Sequence, residues 1–155
     1  SPLPKLEGTI LLLDRSNIFH FAYCKIKHRT DQLQIRTNIR GSTSFNLELT
    51  TLQEQKNLEE SLKKDSGNIH ELTIDNLTEQ FYIVVSNLES GESLFQRSQF
   101  QTDFEAVAPF LTRLSISRKE PQVFASVKLV PEAITPLENF IITLAKSLQH
   151  KKKRH

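Results

Sequence analysis

Three residue types suited to metal or nucleophile chemistry stand close together near the start of the chain: His20, Cys24 and His28. On a helix their four-residue spacing would line one face and could converge on a single ion. The segment that carries them, Ile18–His28, is instead built from aromatic and β-branched residues, with Phe19, Phe21 and Tyr23 alternating against Ile18, Ala22, Cys24 and Ile26. That alternation predicts a strand, on which the three side chains share a face but spread over about 26 Å, too far apart for one ion. No metal site or other cofactor is expected. Cys24 lies among Phe21, Ala22 and Tyr23, the setting of a small core residue rather than of an activated thiolate.

Other catalytic arrangements fare no better. The four glycines stand at 8, 41, 67 and 91, too far apart for a loop whose backbone N–H groups cradle a phosphate. No serine sits in a Gly-x-Ser-x-Gly elbow, and no two carboxylates stand out as facing partners on apolar ground. The expectation is a protein that is not an enzyme. Asn76-Leu77-Thr78 matches the glycosylation sequon and is read as a chance occurrence beside a single cysteine and no visible signal peptide.

The charged residues are more informative. Lys25, Lys27 and Arg29 cluster with Arg36 and Arg40, and if their two segments pair as a hairpin the cations gather at one end of a sheet. Such a group suits an anionic headgroup, each basic residue near an anionic surface contributing about 1 kcal/mol. The plainer reading is solvated edge-strand charge, which also blocks edge-to-edge association. A second basic group, Lys151, Lys152, Lys153 and Arg154, ends the chain. It complements a helix macrodipole, and it also fits a nuclear-import cluster or a nucleic-acid or membrane contact. Removing those four from the 20 Lys+Arg leaves 16 basic against 18 acidic residues, so the body carries −2 rather than the whole chain's +2. A near-neutral body with a basic tip is not a nucleic-acid-binding footprint, and nucleic acid is expected only through the tail.

The elements that must hold these residues are written in the hydrophobic pattern. Thr9–Asp14 and Ile18–His28 read as extended. Leu33–Arg40 alternates strictly, with Leu33, Ile35, Thr37 and Ile39 on one side, and after Gly41-Ser42 the residues Phe45, Leu47 and Leu49 repeat the pattern. The two are expected to form a hairpin. Gln53–Lys64 is polar almost all round with Glu59/Lys63 and Glu60/Lys64 at i,i+4, a peripheral helix or insertion over 53–68 that ends in Asp65-Ser66-Gly67-Asn68. Strands follow at His70–Asp75 and Gln80–Leu88, then a hairpin loop at Glu89–Glu92 into a strand Leu94–Phe100. Thr102-Asp103-Phe104-Glu105 has the form of a capping box, opening a helix whose apolar positions run to Leu114 with Pro109 inside it. Pro121 opens a strand over Gln122–Val130. Thr135-Pro136-Leu137-Glu138 reads as a second capping box that starts the last helix, with Pro136 at its first position and an apolar stripe of Leu137, Phe140, Ile141, Leu144, Ala145 and Leu148.

These readings sum to an α+β fold: an antiparallel sheet of about seven or eight strands, two or three helices, and a C-terminal amphipathic helix packed on the sheet. In shape this resembles a pleckstrin-homology-like module, or a longin-like layer arrangement. One globular domain over 1–150 with a basic tail at 151–155 fits the length. At 37% hydrophobic and 25% charged the chain is globular, and its longest wholly apolar run, Ile10–Leu13, is far short of the roughly 20 residues of a membrane span. The absence of every methionine, with a start at Ser1-Pro2, reads as a domain cut from a longer protein or a processed chain. The functional expectation is a non-catalytic protein–protein interaction domain, a subunit or scaffold of an intracellular complex in the cytoplasm or nucleus. It would engage another protein by a sheet edge or helix packing. The alternative is a module for phosphoinositide or other anionic membranes acting through Lys25, Lys27, Arg29, Arg36 and Arg40.

Overall fold

The structure, a computed structural model, describes residues 8–9, 21–29, 31–39, 43–63, 69–75 and 79–148, the first two segments by their backbone pairing. Among the described residues eight strands run in chain order: β1 (Gly8–Thr9), β2 (Phe21–Arg29), β3 (Gln32–Ile39), β4 (Leu47–Thr51), β5 (His70–Glu71), β6 (Phe81–Val85), β7 (Leu111–Ile116) and β8 (Val123–Lys128). Four α-helices accompany them: α1 (Gln55–Lys63), α2 (Leu88–Gln96), α3 (Ser98–Val107) and α4 (Ile134–Leu148). The strands form one antiparallel sheet in the order β1-β2-β3-β8-β7-β4-β6-β5, with the two-residue strands at its ends. The class is α+β. No described helix is long and apolar enough to cross a membrane.

Strict alternation decides which face each strand buries. Leu33 and Ile35 of β3, Leu47 and Leu49 of β4, Ile83 and Val85 of β6, and Val123, Ala125 and Val127 of β8 all point to one side and are buried. Against that side pack Leu94 and Phe95 of α2, Phe100 and Phe104 of α3, and Phe140, Leu144 and Leu148 of α4, in one continuous cluster. Phe104 is its hub: its ring meets Phe81 of β6 at 5.7 Å, Phe95 at 5.6 Å and Phe140 at 5.8 Å, each edge-on. The whole apolar stripe of α4 is therefore satisfied within the domain.

Several elements differ from the sequence expectation, each for an identifiable reason. β3 and β4 are not a hairpin, because β8 and β7 lie between them; β3 pairs with β2 and β8, β4 with β6 and β7. Alternation specifies a strand's faces and leaves its neighbours open. The segment 88–96 is helix rather than loop and strand. The Asn87 side chain accepts the Ser90 N–H at 2.9 Å and caps it, and Gly91 sits inside the helix because it packs against Val85 and Leu72.

The capping box at 102–105 does not form. These residues lie within α3, where Thr102 Oγ1 donates to the Ser98 carbonyl at 3.0 Å. That helix stops at Val107, ahead of Pro109, and residues 111–116 are β7. A bulge between Leu111 and Arg113 leaves Leu111 and Leu114 on the same face although three residues apart, which mimics helical spacing. The helices thus number four among the described residues rather than two or three. α4 begins at Ile134 after a 3-10 turn at Pro131–Ala133, so Pro136 is its third residue. The strand expected at His70–Asp75 is regular only at His70–Glu71. The expected helix over Gln53–Lys64 is α1, entered through a 3-10 turn at Leu52–Glu54, with only Leu58 buried. Residues 10–14 and 64–68 lie outside the described residues.

Candidate functional site

Helices α2, α3 and α4 pack on one side of the sheet, and register decides what appears on the other. Arg36 of β3 pairs with Phe124 of β8, Phe124 with Ser115 of β7, and Ser115 with Glu48 of β4. The next row runs Gln34, Ser126, Arg113, Thr50 and Tyr82. A shallow cleft of about 520 Å³ lies over these rows, floored by Gln34, Arg36, Phe124, Ser115 and Glu48 and rimmed by Glu120 and Pro121.

The side chains in the cleft hold one another in place. Arg113 Nη2 meets Glu48 Oε1 at 2.9 Å, and Ser115 Oγ donates to the other Glu48 oxygen at 2.6 Å. Gln32 Oε1 accepts from Thr112 Oγ1 at 3.0 Å and from the Ser126 hydroxyl. The Arg36 guanidinium lies 4.7 Å over the Phe124 ring and donates a long hydrogen bond, 3.4 Å, to Gln34 Oε1. Among the described residues the Arg113–Glu48 pair is the one salt bridge, so Arg36 meets no described carboxylate. Tyr82, at the far end of this face, has its phenol pushed above the usual 10.0 by burial and then by the charges of Glu59 and Glu71. That places the Glu59 side of α1 within electrostatic reach of the open face, at the end away from Arg36.

Of the basic residues singled out in the sequence, four are brought onto one antiparallel ribbon. β2 pairs with β3 so that Lys25 stands opposite Arg36, Lys27 opposite Gln34 and Arg29 opposite Gln32. Their register positions run along the ribbon from mid-strand to its turn. Arg40, Lys151, Lys152, Lys153 and Arg154 lie outside the described residues. Cys24 and His28 occupy one strand, opposite Thr37 and Leu33; His20 is outside the described residues. Among the described residues no three His, Cys, Asp or Glu side chains group as metal ligands.

Sequence reasoning did not reach Glu48, Arg113, Ser115 and Phe124. Phe124 carried a signal: an aromatic ring at the wet position between inward Val123 and Ala125. Arg113 and Ser115 were hidden by the helical appearance of 104–114.

No family model matches the chain, and neither does any curated protein sequence. Among solved structures it is similar in fold to the mycobacterial trehalose monomycolate transport factor A, TtfA. The TM-score is 0.51 at 12% identity, over 84% of this chain and 70% of that one. A likeness at that identity is one of fold alone.

Proposed function

We propose that this is a non-catalytic interaction domain, a subunit or scaffold module that binds another protein. One observation carries the reading: α2, α3 and α4 pack on one face of the sheet, and the other face presents, over β3, β8, β7 and β4, a cleft whose polar side chains are already fixed by one another. A preorganised polar face loses little side-chain freedom on binding. The apolar stripe of α4 is buried within the domain, so helix packing through that stripe gives way to the sheet as the binding surface. Affinity capture of the domain from lysate of its source cells, read by mass spectrometry, tests this. Recovery of one stoichiometric protein that survives high salt supports it; retention of nothing, or only of material lost with salt or with residues 151–155, overturns it.

A second reading, binding of anionic membranes, is favoured by the pairing of Lys25 with Arg36. Under it, Lys25→Glu with Lys27→Glu abolishes liposome binding. Under the first reading the same pair leaves partner capture largely intact.

A further inference from the structure

The charge on the open face is not spread evenly. On the three adjoining strands β2, β3 and β8 the register positions that fall on this face are Lys25, Lys27, Arg29, then Gln32, Gln34, Arg36, then Phe124, Ser126, Lys128. Five are basic and none is acidic. The two carboxylates of the cleft lie elsewhere: Glu48 on β4 is neutralised by Arg113, and Glu120 is on the exposed rim. The cleft's own lining is charge-balanced, Arg36 and Arg113 against Glu48 and Glu120, and Arg36 stands on the side where the neighbouring register positions of β2 and β8 are basic.

We infer that this cleft receives an extended acidic peptide segment of the partner, one carboxylate of which seats on the Arg36 guanidinium. The inference rests on the interaction-domain reading and names the partner's chemistry. A guanidinium held flat over a ring has its orientation set before any ligand arrives, and its planar fork matches a carboxylate with two parallel N–H donors. Around it stand amide and hydroxyl groups, Gln34, Ser115 and Ser126, of the kind that hydrogen-bond a peptide backbone. Arg36, Gln34 and Phe124 are half exposed and line a shallow cleft on the sheet, a setting that suits a narrow extended chain.

The test is fluorescence anisotropy of a labelled hexaglutamate peptide against the whole chain, with hexaglutamine as the uncharged control. The wild type binds hexaglutamate and not hexaglutamine. Arg36→Gln weakens binding about tenfold or more, whereas Lys146→Gln, which removes an exposed charge from α4 on the covered side of the sheet, leaves it unchanged. Absence of hexaglutamate binding by the wild type, or an equal loss in both variants, overturns the inference. So does tighter, equally Arg36-dependent binding to phosphatidylserine-containing vesicles, which would assign the face to a membrane. Should Arg36→Gln fail to fold by circular dichroism, amide shifts of the wild type titrated with hexaglutamate decide. They must fall on residues 32–36 and 122–128, and shifts confined elsewhere refute the site. If capture from lysate succeeds while hexaglutamate fails, the interaction reading stands and its surface lies elsewhere.

Discussion

At Glu48 the opposing demands of stability and binding meet on one side chain. Its carboxylate takes an ion pair from Arg113 and a hydroxyl from Ser115, with the two charged side chains 21% and 44% exposed. A pair so open to water is screened, and its net contribution to stability is at most about 1 kcal/mol. Its contribution to the character of the cleft is larger, because it cancels the cation nearest to Arg36 on the β7 side. Glu48→Gln keeps an oxygen for Ser115 and removes the charge. It should lower stability by less than about 1 kcal/mol in urea unfolding. It should also tighten hexaglutamate binding roughly threefold, by freeing Arg113 to act on the ligand. Unchanged affinity would place Arg113 beyond the ligand's path. Residue-level legibility was uneven for a plain reason. Lys25, Lys27, Arg29 and Arg36 announce themselves by charge and proximity in sequence, but Glu48 meets Arg113 through a pairing 65 residues apart, and Phe124 joins them only once β7 is seen to be a strand paired with β8.

Among the elements, α2 displays most directly how tertiary packing overrides a local signal. Gly91 reads as a turn in the sequence, yet it lies in a helix, where close approach to β6 demands glycine: a Cβ there would meet Val85 Cγ1 at 2.8 Å, Val85 Cγ2 at 3.3 Å and Leu72 Cδ2 at 3.4 Å. Val85 is β-branched and buried, so it cannot swing aside. Gly91→Ala gains about 1 kcal/mol of helix propensity and incurs an overpacking cost of about 1–3 kcal/mol. A net loss follows, read as a Tm lower by a few degrees; a higher Tm would mean that α2 has room to shift away from β6. The alternating strands and the stripe of α4 were legible because one face of each is wet. The same rule failed at β7, where the bulge breaks the period, and at β3 and β4, where period says nothing of partners.

α4 carries a further signal at Glu138, whose carboxyl is raised above the ordinary 4.5 by burial. It is the fifth residue of the helix, beyond the turn in which the macrodipole favours a carboxylate. A raised value means the folded state holds its proton longer than the unfolded chain does. Stability is therefore greatest below 4.5 and falls as pH rises through the folded-state value. Glu138→Gln should raise Tm at neutral pH and leave it unchanged in acid well below 4.5; an equal shift at both would assign the effect to packing instead.

For the molecule as a whole the decisive feature is the strand order. β1, β2 and β3 join the rest of the sheet only along the pairing of β3 with β8, from Gln32↔Lys128 to Thr37↔Val123. Such a joint could let the N-terminal ribbon open by itself, and the cleft would then open with it, since Arg36 and Phe124 lie on opposite sides of that seam. The core argues against separation. Leu33 and Ile35 of β3 are 2% and 1% exposed and belong to the same cluster as Ala125, Leu114 and the phenylalanines of α3 and α4. Peeling β3 away would expose these two side chains and unmake the ladder at once, at a cost of about 1.5–3 kcal/mol for each large apolar side chain uncovered. Native-state hydrogen exchange should therefore find the amides of β3, β8 and β7 sharing one level of protection, set by global unfolding, while the two-residue edge strand β5 exchanges far faster. If β3 instead exchanges at a level well below β8, the seam is a hinge. The Arg36 side and the Arg113–Glu48 side of the cleft would then be two surfaces held together by a ligand rather than one surface prepared for it.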